Sequence, residues 1–231
     1  MPLEINKDFA LLYGIMLGDG CLSLVKGKKK CIVVSGSMED DIPFFEKVVR
    51  PIIKQLINKD VPILYRNSDN SISLKFLCES LFDFMQGLGY PVGKKGNKLF
   101  IPKIFYEKGL VRYLVQGFFA TDGSLVITDN NGIIYPRVEA NGIAKILINE
   151  ISDWINSKGI NCHFYLAKRI HIMPQDFRRN FETYRVQING KKELNKFIQE
   201  IGFVNPKQIE RLSKYQKQVA IPRFELGTPA L

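Results

Sequence analysis

Two apolar runs of this chain end the same way, in an acid followed by glycine, and each opens a half of the sequence that repeats the other. LLYGIMLGDG occupies residues 11–20 and YLVQGFFATDG residues 113–123. Their acids, Asp19 and Asp122, are offset by 103 residues (122 − 19). Near the close of each half, LFDFMQGLGY matches LNKFIQEIGF at a constant offset of 113 (194 − 81), pairing Leu81 with Leu194, Phe84 with Phe197, Gln86 with Gln199 and Gly89 with Gly202. The second half thus carries about ten extra residues, which we ascribe to the loop around HIMPQDFRRNF. A duplication on this scale decides the architecture, because each copy must build the same unit.

The order of elements within a unit follows from periodicity. After the first run, SLVKGKKKCIVVSG reads as strand, basic turn, strand. MEDDIPFFEKVVRPIIKQLI has the apolar spacing of an amphipathic helix. VPILYR and SISLKFL flank the turn NSDN, and ESLFDFMQGLGY is a short helix closed at Gly89. The second half gives a hairpin at Asn131-Gly132, a helix ending at Gly159, two strand-like segments and a closing helix. The expected fold is α+β, with two pseudo-symmetric αββαββα subdomains. We divide the chain into residues 1–108 (with the linker KGNKLFIPKIFYEKG), 109–222, and a tail at 223–231, a native extension or an expression remnant that receives no function.

Lys and Arg outnumber Asp and Glu by 33 to 23, a net charge of +10 that suits a polyanionic partner. The four cysteines, Cys21, Cys31, Cys78 and Cys162, form no CxxC pair and read as reduced thiols rather than a zinc site. No run is long enough to span a membrane and MPLEINKDF has no signal-peptide pattern, so we expect a soluble intracellular protein of a prokaryotic cytoplasm or an organelle matrix, not a secreted one. P-loop, dinucleotide-binding glycine and HExxH patterns are missing, which leaves enzymes outside nucleic-acid chemistry without a motif.

The paired runs carry the chemistry. Gly14 and Gly18, and Gly117 and Thr121, are small residues at i and i+4 on one helical face, the spacing that lets two helix backbones approach. Interior glycine costs about 0.5–1 kcal/mol relative to alanine, and close packing offsets it. Gly20 and Gly123 are expected to stop the helices in a left-handed cap. An acid in the last turn opposes the helix dipole. Side-by-side packing brings Asp19 and Asp122 together, where two carboxylates stay ionised only with a cation between them. That arrangement suits Mg²⁺ and metal-assisted phosphodiester hydrolysis.

LYGIMLGDG and VQGFFATDG resemble the nine-residue signature of the LAGLIDADG homing endonuclease family in its monomeric two-motif form, and the resemblance covers nearly the whole chain. Motif one has Leu17 and Gly18, and motif two Ala120 and Thr121, where the name has Asp and Ala. The resemblance implies a site-specific DNA endonuclease that makes a staggered double-strand break at a long target. It implies paired helices at the subdomain interface, antiparallel sheets forming a DNA-binding saddle, and a divalent ion (Mg²⁺, with Mn²⁺ or Ca²⁺ able to occupy the site) held by Asp19, Asp122, Gly18 and Thr121. It also implies a basic residue near each scissile phosphate, after the last helix of each unit. Lys94 and Lys207 fill those positions, with Lys95 the alternative in the first half. Ser37 and Asn141 fall near the position that orients water.

The strands supply candidate DNA contacts: Lys26, Lys28, Lys29, Lys30, Tyr65, Arg66 and Lys75 in the first half, and Arg137, Glu139, Lys168, Arg169, His171, Arg185 and Gln187 in the second. Arg178 and Arg179, in the extra loop, are candidates to clamp backbone. Arg and Lys read guanine and Gln reads adenine, whereas the Lys28–Lys30 run suits phosphate. Double-stranded DNA is the expected partner of a monomeric chain. Two other readings use the same scaffold, an intron RNA maturase and a non-catalytic DNA-binding regulator, and retention of both acids argues against the second of these.

Overall fold

The computed structural model describes residues 3–171 and 179–220, without the side chains of 168–171 and 179–181. Arg178 and the tail at 223–231 lie outside the described residues, as do the side chains of Lys168, Arg169, His171 and Arg179.

The first unit comprises helix α1 (Lys7–Asp19), strands β1 (Gly20–Val25) and β2 (Lys29–Ser37), helix α2 (42–57), strands β3 (Ile63–Arg66) and β4 (Ser71–Leu77) and helix α3 (Glu79–Gly87). A short helix α4 (Lys103–Glu107) leads into the second: α5 (Val111–Thr121), β5 (Gly123–Asn130), β6 (Ile133–Gly142), α6 (Lys145–Ser157), β7 (Cys162–His171), β8 (Arg179–Asn189), α7 (Gly190–Glu200) and α8 (Pro206–Ala220). The two antiparallel sheets have matching orders, β1-β2-β4-β3 and β5-β6-β8-β7. The turns follow their chemistry. Lys26-Gly27 and Asn131-Gly132 both take positive φ, as tight hairpin turns demand. Pro51 lacks an N–H inside α2, and the helix widens to a π turn at Phe45–Val49 just before it. The second half's extra length lies mainly between Phe164 and Val186, a hairpin far longer than its counterpart between Ile63 and Leu74.

Helices α1 and α5 are apolar nearly all round, so neither can lie at a surface. Residues Leu12 to Leu17 of the first are buried without a break, as are Gly117 to Ala120 of the second. The two pack along one another as the spine of the molecule. Their approach leaves no room for side chains: a Cβ on Gly14 would lie 1.9 Å from Leu114 O, and one on Gly117 2.2 Å from Leu11 O. At the end bearing the acids the contact is unequal. Thr121 fills the space beside Gly18, where a Cβ would fall 2.0 Å from Thr121 Oγ1.

Each sheet buries one face against helices, through Ile32, Val34, Ile72, Leu74 and Phe76 in the first and Leu125, Val138, Ala140, Val186 and Ile188 in the second. The opposite faces carry most of the polar strand residues, with Leu64 and Leu77 exposed among them on the first. Strand alternation therefore sorts the candidate contacts. Lys29, Arg66 and Lys75 project from the open face of the first sheet, sharing it with Ser35, Ser71 and Ser73 by register. Lys30 and Tyr65 do not. Lys30 has the parity of Ile32 and Val34 and pairs with Asp83 of α3 at 2.6 Å, and Tyr65 has the parity of Ile63 opposite Ile72, on the helix side. Lys26 and Lys28 occupy the exposed hairpin turn.

Gly20 and Gly123 correct another expectation. Gly20 is extended (φ −92°, ψ 161°) and begins β1 directly, and Gly123 is not left-handed either. Glycine is required there by crowding: a Cβ would fall 2.4 Å from Met16 Cα at Gly20 and 2.4 Å from Phe119 O at Gly123.

Candidate active site and nucleic-acid interface

Because each central helix ends where a strand begins, its acid is delivered to the junction between the two sheets. Asp122 reaches across the helix pair: its Oδ2 is 3.0 Å from the position of a Cβ on Gly18. Asp122 is half-buried, whereas Asp19 is exposed to solvent on one side of the helix end. Burial nonetheless dominates both titrations. It pushes Asp19 up to about 6, with Lys95 pulling it down and Asp41 pushing it further up. It pushes Asp122 up to about 7, reinforced by Asp19 and opposed by Lys95. Two acids held this far above the ordinary range mark a place prepared for positive charge.

The lysine that reaches the helix end beside them is Lys95. Its Nζ donates to the carbonyls of Met16 at 3.3 Å, Leu17 at 3.1 Å and, in a still shorter contact, Gly18. Burial lowers its pKa, against the attraction of Asp122 and then Asp19. Lys94 is exposed and lines the mouth of the same cleft, about 490 Å³ in volume, together with Lys95, Asp122 and Asn141. Lys207 lies on the other side of the helix pair, where it forms an exposed ion pair with Asp40 of the first unit. It lines a smaller cavity of about 110 Å³ with Asp41, Thr121 and Ser124.

The residues fit a hard divalent ion that also binds its substrate. Two carboxylates and the helix-end carbonyls of Gly18 and Thr121 are oxygen donors, the chemistry Mg²⁺ takes. Among the described residues no group of three or more His, Cys, Asp and Glu side chains gathers in one place. An ion here therefore needs water and phosphate oxygens to complete its shell, as catalytic Mg²⁺ sites do.

Outside the acids, the open face of the second sheet carries a connected polar network. Arg185 Nε donates to Asn141 Oδ1 at 2.6 Å, and its Nη1 lies 3.5 Å from Tyr165 OH and 3.6 Å from Glu139 Oε2. Arg137 Nε lies 2.8 Å from the same Glu139 oxygen. Tyr165 OH donates to Gln187 Oε1 at 2.5 Å, and Gln187 passes the chain to Asn189 at 2.8 Å. Arg137, Glu139, Arg185 and Gln187 thus share one face, facing away from the core. Sequence reasoning missed Tyr165 and Asn189, which the same strand parity would have found. Register also places Ser35, not Ser37, opposite the position of Asn141: Val34 pairs with Gly20 as Ala140 pairs with Gly123. Ser37 instead donates its N–H to Asp41 at 2.9 Å.

Paired central helices with an acid at each end, each opening a four-stranded sheet, define the two-subdomain LAGLIDADG homing endonuclease fold, and the chain has that fold. Among solved structures it is similar to a mesophilic variant of the homing endonuclease I-DmoI, with a TM-score of 0.58 and 16% identity over 84% of this chain and 90% of that one. I-DmoI in complex with DNA and Ca aligns with a TM-score of 0.54 and 16% identity, over 90% and 97% of the two chains. The I-LtrWI LAGLIDADG homing endonuclease bound to target DNA aligns with a TM-score of 0.53 and 12% identity, over 93% and 90%. No family profile matches the chain. No curated protein sequence matches it either. Among the described residues no helix is long and apolar enough to cross a membrane.

Proposed function

We propose that this chain is a site-specific endonuclease for double-stranded DNA, which makes a staggered double-strand break at a long target as a single pseudo-symmetric monomer. The observation that carries the reading is the pair of carboxylates, Asp19 and Asp122, at the ends of two closely packed helices where the two sheets begin. Structural relatives bound to DNA, some with Ca or Mn, support it. Residues 1–108 and 109–222 act as the two half-site readers.

Asp19, Asp122 and the carbonyls of Gly18 and Thr121 would hold divalent metal, with Mg²⁺ the expected ion and Mn²⁺ or Ca²⁺ able to replace it. Such an ion, when bound, supplies an activated water and neutralises charge on the phosphate under attack. The chain's own residues do the rest. The acids release their protons as positive charge enters. Lys94 and Lys207, exposed at the two mouths, contact the flanking phosphates, and the pair between Lys207 and Asp40 opens when DNA arrives. Lys29, Arg66 and Lys75 on one sheet and Arg137, Glu139, Arg185 and Gln187 on the other lie along the major groove, which admits a two-stranded ribbon.

The test is cleavage of a large library of randomised duplex DNA with Mg²⁺ or with EDTA, sequencing the broken ends. Metal-dependent staggered breaks at one long motif, lost in Asp19→Asn and Asp122→Asn, are the expected result. An uncut library, with tight and salt-sensitive binding to RNA instead, would replace this reading with the maturase.

A further inference from the structure

The two helix ends are finished by different chemistry. The offset of 113 that pairs Leu81 with Leu194 also pairs Tyr90 with Phe203, Val92 with Asn205 and Lys95 with Gln208. In the second unit the last carbonyls of α5 are met by neutral amides. Gln208 Nε2 donates to Phe119 O at 2.6 Å and Gly123 O at 2.9 Å, and Asn205 Nδ2 to Ala120 O at 2.8 Å. In the first unit the corresponding carbonyls of α1 are met by a phenol and an ammonium. Tyr90 OH lies 2.5 Å from Met16 O and 3.1 Å from Gly20 O, and Lys95 covers Met16, Leu17 and Gly18. Gly18 O is therefore occupied, whereas no described residue donates a hydrogen bond to its counterpart, Thr121 O.

Charge follows the same division. Lys95 lines the same cleft as Asp122, the acid that lies against Gly18. On the other side, Asp41 lines the cavity that holds Thr121. The cations there are committed elsewhere: Lys207 to Asp40, and Arg211 to Leu125 O at 3.0 Å.

We propose that Lys95 is the resident counter-cation of the acid pair, occupying Gly18 O beside Asp122 in the metal-free protein, so that a divalent ion must displace it to bind there. The half-sites are then unequal, and the Asp19–Thr121 half, open and bordered by Asp41, loads first. Lys95 is a positioning residue in this role: it acts through the acids and the helix end. The proposal rests on the divalent-ion reading above and deepens it.

The test uses the full chain without DNA, titrated with Mn²⁺ while electron paramagnetic resonance counts the free ion. Wild type, Lys95→Gln, Lys95→Arg and Lys95→Gln/Asp122→Asn are compared, each first shown to unfold cooperatively. Lys95→Gln places the neutral amide of the second unit in the first. It should tighten Mn²⁺ binding at Asp122 by at least about tenfold, because a like charge close to the ion is removed. Asp122→Asn should cancel that gain, and Lys95→Arg, which keeps the charge, should stay near wild type. A purely structural lysine would show no such rescue by arginine. Equal Mn²⁺ binding by wild type and Lys95→Gln overturns the proposal alone. Saturable binding by none of the variants overturns it together with the divalent-ion reading.

Discussion

Gly117→Ala adds one methyl group where the backbones of the helix pair nearly touch. The new Cβ would lie 2.2 Å from Leu11 O, 2.9 Å from Ile15 N and 3.1 Å from Gly14 Cα. Non-bonded heavy atoms settle at about 3.5 Å, so α1 must retreat by roughly 1 Å. All three obstacles are backbone, and no side chain can swing aside. Overpacking typically costs about 1–3 kcal/mol, and a clash with rigid backbone belongs at the upper end. Alanine returns about 1 kcal/mol of helix propensity, leaving a net loss of about 2 kcal/mol. Urea unfolding followed by circular dichroism should show the midpoint falling by roughly 0.7–1 M, for slopes of about 2–3 kcal/mol/M. Gly87→Ala is the matched control, since that glycine ends α3 with nothing within 4 Å of its Cβ position. It should gain up to about 1 kcal/mol from propensity. If Gly117→Ala also stabilised the protein, close packing would not be the reason for glycine, and the reasoning would fail.

Asp122→Asn removes a carboxylate whose pKa burial has raised from 3.8 to about 7. A raised acid is a stability cost that sets in as pH climbs past the unfolded-state pKa and is complete above the folded one. Wild-type stability in EDTA should therefore fall between about pH 4 and pH 7, and the mutant should be more stable by roughly 2–4 kcal/mol at pH 8 but equal near pH 4, as read by thermal melts across that range. Tyr90→Phe strips the hydroxyl from Met16 O and Gly20 O. Denaturation should report a loss of about 1–2 kcal/mol; no loss would mean water replaces the phenol. Arg185→Ala unties Asn141, Tyr165 and Glu139 together. Relaxed base preference at one or two target positions is expected in a binding-and-sequencing assay. Lys29→Ala should instead weaken all sequences alike and lower the salt slope by about one.

How far the sequence reveals this depends on the length scale of the physics. Apolar period and turn residues act within a few positions, so the order of helices and strands and the pairing of halves were open to reading from LLYGIMLGDG and LFDFMQGLGY. Which side of a sheet a residue takes is also local, and Lys30 was misplaced only because its parity with Ile32 and Val34 went uncounted. The glycines after the acids were recognised for the wrong reason, since nothing near Gly20 announces that Met16 will crowd it. Lys95 was harder. Its position depends on where a loop 77 residues after Gly18 returns to the helix end. The resemblance offers it only as the alternative to Lys94, and its alignment with Gln208 carries no chemical likeness that would decide between them.

The unequal contact between Gly18 and Thr121 bears on how the two halves recognise one another. Thr121 is a bump and Gly18 the hole that receives it. Two copies of the second half would set threonine against threonine, and two copies of the first would leave an unfilled gap. Produced as separate polypeptides, the halves should therefore seek each other rather than themselves, so that one methyl-and-hydroxyl side chain polices the assembly and the chain encodes its own mating rule.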